Sequence, residues 1–166
     1  MMMSLKRRLI AVPAAALAFA VSSCHDANSV MQSVGQPVPR SITPRTTATT
    51  AGPTAVVTLV LDVRGDVGKI GSYTGRLRYD AVALIYDGES EISDGTLRAT
   101  NPGIGEIRVA GASAAGVDLA RLAAFRFIVK DPAALQFVQF DLEEVHELSH
   151  VNLQPNVVRS ASRPLK

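Results

Sequence analysis

The stretch "SYTGRLRYD", residues 72–80, decides how the rest of the chain is read. Tyr73, Gly75, Leu77 and Tyr79 fall on one side of an extended chain, and Thr74, Arg76 and Arg78 fall on the other. That two-residue period is the signature of a strand with one face in a core and one in water. The same alternation recurs on both sides of it. In "AVVTLVLDVR", residues 55–64, Val57, Leu59, Leu61 and Val63 alternate with Thr58, Asp62 and Arg64. In "EIRVAGA", Ile107 and Val109 oppose Arg108 and Ala110. In "AAFRFIVK", Phe125, Phe127 and Val129 oppose Arg126 and Lys130. Turn signals separate these runs: "GDVGK" at 65–69, "NPG" at 101–103 and "DP" at 131–132. Short alternating strands with a turn about every ten residues predict an all-β domain, an antiparallel β-sandwich. One segment is ambiguous. In "AALQFVQFDLEEV", residues 133–145, Leu135, Val138, Leu142 and Val145 fit a helical stripe, while Val138, Phe140 and Leu142 fit a strand.

The strands begin well into the chain. Hydrophobic residues make up 47% of the 166 and charged residues 19%, which is enough apolar material for a core. Part of it is spent at the start. Lys6, Arg7 and Arg8 precede an apolar run from Leu9 to Val21, then Ser22, Ser23 and Cys24. A basic, an apolar and a small-residue region in that order predict a secretory signal peptide over residues 1–23. Val-Ser-Ser-Cys is similar to the lipobox of bacterial lipoproteins, which implies lipidation of Cys24 and an anchor without a spanning helix. Cys24 is the only cysteine, so no disulfide forms within one molecule. Removing residues 1–23 lowers Lys+Arg from 17 to 14 against 15 Asp+Glu, so the formal charge moves from +2 to about −1. There is no basic field to attract nucleic acid. Residues 24–54, rich in Pro and Thr, are expected to be a flexible linker. The sandwich is expected over 55–158, with a C-terminal tail over 159–166.

The strands and turns carry a resemblance. "VTLVLDVRG" followed by "IGSYTGRLRYDAVALIYDGE" resembles the first half of a bacterial cohesin domain, with Tyr79, Asp80, Leu84 and Gly88 at the places of the family's Tyr-Asp-x-x-x-Leu turn and following glycine. Ala81 stands where the family usually has Pro. "GEIRVAGASAAGVDLARLAAFRFIVK" is similar to the family's later hairpin, and "FVQFDLEEV" to its penultimate strand. The resemblance implies a jelly-roll sandwich related to carbohydrate-binding modules. It implies a non-enzymatic module that binds a dockerin-like protein through one sheet face. The family's contact places on the strand before the Tyr-Asp turn map to Ser72 and Thr74. With the outward Arg76 and Arg78 they form the candidate binding face. The implied setting is the bacterial envelope, at the outer membrane on the periplasmic or cell-surface side. Polysaccharide is the alternative ligand, although the chain has no Trp on which a sugar ring could stack.

One motif points elsewhere. His146-Glu147-Leu148-Ser149-His150 matches the pattern in which two histidines one helical turn apart hold zinc and the Glu between them acts as general base. The pattern needs a helix and a third protein ligand. No Asp, Glu or His follows His150, and the predicted fold gives this segment a loop between late strands. The pair is therefore expected to face solvent. No nucleophile elbow, P-loop or dinucleotide fingerprint occurs, and no cofactor is expected.

Overall fold

The structure is a computed structural model and describes residues 38–158. Eight strands form two four-stranded sheets: β1 (Ser41–Ala51), β2 (Thr54–Arg64), β3 (Ile70–Arg78), β4 (Leu84–Glu89), β5 (Leu97–Gly103), β6 (Glu106–Ala112), β7 (Ala123–Val129) and β8 (Gln139–Glu147). One sheet has the order β1-β2-β7-β4 and the other β5-β6-β3-β8. All pairings between strands are antiparallel. The predicted sandwich is therefore present. Among the described residues no helix is long and apolar enough to cross a membrane.

Alternation positions the core. Val57, Leu59 and Leu61 from β2 and Phe125 and Phe127 from β7 meet Tyr73 and Leu77 from β3, Ile107 and Val109 from β6, and Phe140 and Leu142 from β8. Each such side chain stabilises the fold by about 1.5–3 kcal/mol through burial. Two inward glycines make room for rings. A Cβ on Gly75 would collide with the Phe140 ring, and one on Gly111 would collide with the Tyr73 ring.

The Tyr-Asp turn has a local cause. Asp80 Oδ1 accepts hydrogen bonds from the Val82 and Ala83 N–H groups, at 2.8 and 3.3 Å, and the Leu84 N–H donates to the Asp80 carbonyl. The carboxylate thus closes the turn by itself, and Ala81 serves where a Pro is not required. Tyr79 packs edge-on against Phe127 with centroids 4.9 Å apart, and its hydroxyl donates to the Gly103 carbonyl. Gly88 sits at a bulge between β4 and β7 with φ of +118°.

Three expectations are corrected. The linker expected over 24–54 does not extend that far, because Ser41–Ala51 is a strand paired along its whole length with β2. Its threonines favour an extended, half-exposed chain, and Pro44 is tolerated because β1 is an edge. The "NPG" segment is not a turn but the end of β5. Pro102 pairs with Ile107, and the reversal falls at Ile104 and Gly105. Again the proline sits on an edge strand. Segment 133–145 is neither one helix nor one strand: a 3-10 helix over Pro132–Phe137, capped by the Asp131 side chain, gives way to β8. Cys24 and the tail 159–166 lie outside the described residues.

Candidate functional site

The outer face of the β5-β6-β3-β8 sheet collects the residues singled out on β3. Strand register orders this face in four rows. Leu97, Ala112, Ser72 and His146 form the first; Ala99, Ala110, Thr74 and Glu144 the second. Asn101, Arg108, Arg76 and Asp141 form the third; Gly103, Glu106, Arg78 and Gln139 the fourth. All four predicted residues, Ser72, Thr74, Arg76 and Arg78, therefore lie on one face, but they fall in two halves of different chemistry.

The lower half is a closed ionic network. Arg76 reaches Glu143 at 2.5 Å and Glu106 at 3.3 Å, Arg78 reaches Asp141 at 3.3 Å, and Arg108 reaches Glu106 at 3.2 Å. The hydrogen bond to Glu143 raises the pKa of Arg76, offset in part by desolvation. Burial alone would raise the Glu106 carboxyl, but Arg108 and Arg76 hold it below the ordinary value. These pairs are partly to well exposed, so water and salt screen them and they add little to stability. Glu143 takes part because β8 carries an extra residue here: Thr74 pairs with Glu144 and Gly75 with Leu142, leaving Glu143 bulged toward Arg76.

The upper half has small side chains and one large apolar one. Leu97 is 80% exposed, and Ala99 and Ala112 are exposed beside it. A cleft of about 420 Å³ borders this half, walled by Ser72, Leu97, Ala112, Leu148, Glu147 and His150. Leu97 is held from below. The next residue, Arg98, turns its side chain inward. There it grips Asp94 through two nitrogens, at 2.9 and 2.6 Å, and donates from Nε to the Leu122 carbonyl at 2.5 Å. The buried Tyr73 hydroxyl donates to the same carbonyl at 2.6 Å. Hydrogen bonds from Arg98 lower the Asp94 carboxyl to about 2, and burial pushes the Tyr73 phenol up to about 12. The sequence placed Ala110 outward but not in the site, and it missed Leu97, Ala99 and Ala112. Period-two spacing within "LRA" and "AGA" was the available signal, and for Leu97 and Ala99 it was masked by the turn assigned to "NPG".

The two histidines do not share a helical face. His146 is in β8 and pairs with Asn152, while His150 closes a tight turn with φ of +64°. Glu147 is occupied as well: it accepts from the Gly68 N–H and from the Ser149 hydroxyl, both at 2.9 Å, which lowers its pKa. It pins the turn instead of facing a metal-bound water. Among the described residues no aromatic side chain is exposed, so the flat ring platform that stacks sugars is not found there.

Comparison with known proteins bears on the fold. No family model and no curated protein matches the chain. Solved structures do. The cohesin module of a family 33 glycoside hydrolase from Clostridium perfringens superposes with a TM-score of 0.51 at 14% identity, over 70% of this chain and 89% of that one. The fold is cohesin-like. A type I cohesin–dockerin complex from Clostridium thermocellum also matches, with a TM-score of 0.50 at 15% identity, over 71% of this chain and 94% of that one. At such identities the cohesin-like fold is shared while the surface residues are this chain's own, which is why the face has to be read residue by residue.

Proposed function

We propose that this cohesin-like domain is a non-enzymatic protein-binding module. It engages a dockerin-like partner through the outer face of the β5-β6-β3-β8 sheet, and lipid on Cys24 holds it at a bacterial envelope. The observation that carries the reading is the exposed Leu97 on a bed of Ala99, Ala110, Ala112, Ser72 and Thr74. Small side chains let a partner's backbone come close, and the protruding Leu97 at the edge strand offers apolar area for the contact to bury. The arginines below it are already ion-paired with Glu106, Glu143 and Asp141 through their terminal nitrogens. They act as a polar rim that sets orientation. Support for the partner class comes from the fold, since the matching Clostridium thermocellum structure is itself a cohesin–dockerin complex. The membrane setting rests on the basic, apolar and small-residue series leading to Cys24.

The test is capture from the source envelope with the full chain, side by side with Leu97→Glu and Lys130→Glu variants. A protein retained by the wild type and by Lys130→Glu but lost with Leu97→Glu supports the proposal. Equal retention by all three moves the site to another surface. Mass spectrometry of the native protein checks the anchor: an acylated N-terminus at Cys24 is expected, and an unmodified Cys24 within an uncleaved chain overturns it.

A further inference from the structure

One end of the sandwich carries exposed aliphatic side chains that neither the core nor a turn requires. Val38 lies beside Gly65, where β2 ends. At the opposite end the loops after β3 and β5 meet. The Tyr79 N–H donates to the Gly105 carbonyl at 3.0 Å, and the Tyr79 hydroxyl donates to the Gly103 carbonyl at 3.2 Å, so the two loops form one fixed tip. Ile104, between those glycines, is 96% exposed, and Val82 in the other loop is 83% exposed. Gly105, with φ of +73°, supplies the left-handed residue of the turn, so nothing in the turn calls for an isoleucine. Three residues after Val82, Ile85 pairs with Ile128 of β7, and both are partly exposed.

Charge at this tip is one-sided. Asp80 Oδ1 is engaged by the Val82 and Ala83 N–H groups, Asp131 Oδ1 accepts from the Ala133 N–H, and Glu106 is paired with Arg76 and Arg108. Lys130 is exposed, and its backbone N–H donates to the Ala83 carbonyl next to Val82. Among the described residues of these loops it is the charged side chain without a partner.

We infer that this tip rests on a lipid surface with anionic headgroups. A convex aliphatic tip is covered either by a partner with a matching hollow or by a fluid that closes around it, and a bilayer interface is such a fluid. Lys130 can lay its methylene stem along the apolar side chains and keep its ammonium among phosphates. A few aliphatic side chains and one cation bind weakly and reversibly, so the contact orients a domain already held near the surface. The inference rests on the anchor proposed at Cys24 for that proximity, and not on the partner face. Residues 24–37 can span at most about 50 Å, more than the ~36 Å of an eleven-residue strand, so the tether lets the tip reach the anchoring membrane.

The chain has no Trp, so a single Trp substitution reports on the tip alone. The full chain carrying Ile104→Trp is reconstituted with vesicles of phosphatidylcholine and phosphatidylglycerol, and with vesicles of phosphatidylcholine only, each with a brominated acyl chain as quencher. Its apolar run 9–21 keeps it at the vesicle with or without acylation of Cys24, so failure here is distinct from failure of the anchor. Blue-shifted, quenched emission is expected in the anionic vesicles, with the tip–lipid equilibrium about fivefold weaker in the neutral ones, the factor one basic residue adds at an anionic surface. Adding Val82→Asp should return the emission to that of an indole in water, with circular dichroism confirming the fold. Leu97→Trp, made instead of Ile104→Trp, controls for the preference of indole for interfaces and should stay in water. Emission from Ile104→Trp that vesicles leave unchanged overturns the inference and leaves the tip to a protein partner. Quenching that is equal in both vesicles, that survives Val82→Asp, or that Leu97→Trp shows to the same extent overturns it too.

Discussion

Gly111 lies beneath the Tyr73 ring, and Gly75 beneath the Phe140 ring. Gly111→Ala forces the ring or the strand to move, at a cost of about 1–3 kcal/mol in urea denaturation. The Tyr73 hydroxyl is tied to the Leu122 carbonyl and has little freedom to yield. Asp94 gives a pH signature. Its folded pKa, about 2, lies below the ordinary value of 3.8. The stability it contributes is complete above about pH 4 and is lost as pH falls toward 2. Thermal melts of Asp94→Asn should therefore lie below the wild type at pH 6 and converge with it near pH 2. Parallel curves over that range would refute the Arg98 clamp. Substitution of Leu97 should separate binding from stability. Leu97→Glu should cost about 1–2 kcal/mol of partner affinity by calorimetry and less than ~0.5 kcal/mol of folding free energy, since the side chain points into water. Arg76→Glu is different. It removes the partner shared by Glu106 and Glu143 and adds a third carboxylate beside them, so it should lower stability as well as affinity.

Strand β1 shows how an element can be invisible locally and required globally. Its sequence, SITPRTTATTA, contains one aliphatic residue of any size, Ile42, which is fully buried. Pairing with β2 is what makes it a strand, and Val157 near the chain's other end bridges to Ile42 from the far side. A chain cut at Ala55 should fail to give a cooperative melt, whereas one cut at Val38 should retain it; Ile42→Ala in the intact chain should cost about 2–5 kcal/mol. Strand β8 was ambiguous for a specific reason. Its buried residues are Phe140, Leu142 and Val145, spaced by two and then by three, because the bulge at Glu143 inserts a residue. A two-residue period interrupted once looks like the 3.6-residue period of a helix. The prolines at 44 and 102 misled in a similar way. Pro forbids a central strand, but β1 and β5 are both edges, a property that belongs to the sheet and not to the segment.

At the scale of the whole molecule the sandwich has two outer faces of different chemistry: one carries small side chains and the exposed Leu97 beside an ionic rim, the other β-branched side chains interspersed with Arg45, Asp62, Arg64 and Arg126. Leu97 and Ile42 lie on different sheets and share no partner, so the costs of Leu97→Glu and Ile42→Ala in folding free energy should add within ~0.5 kcal/mol in urea denaturation. A larger coupling would show the two sheets to be linked through the shared core. The alternation in "SYTGRLRYD", "VTLVLDV" and "AAFRFIV" was sufficient by itself to determine an all-β sandwich and which side of each strand is buried, because the pleat ties side-chain direction to sequence parity. It placed Thr74, Arg76 and Arg78 on one face for the same reason, and the cohesin resemblance added Ser72 to them. What parity cannot carry is register between strands. Only the tertiary structure decided that Arg76 and Arg78 face carboxylates of β6 and β8, that Leu97 and Ala112 lie beside Ser72, and that the histidines of HELSH stand on a strand and a tight turn. Those relations depend on which distant segment comes to lie alongside, and that is set by the packing of the whole core.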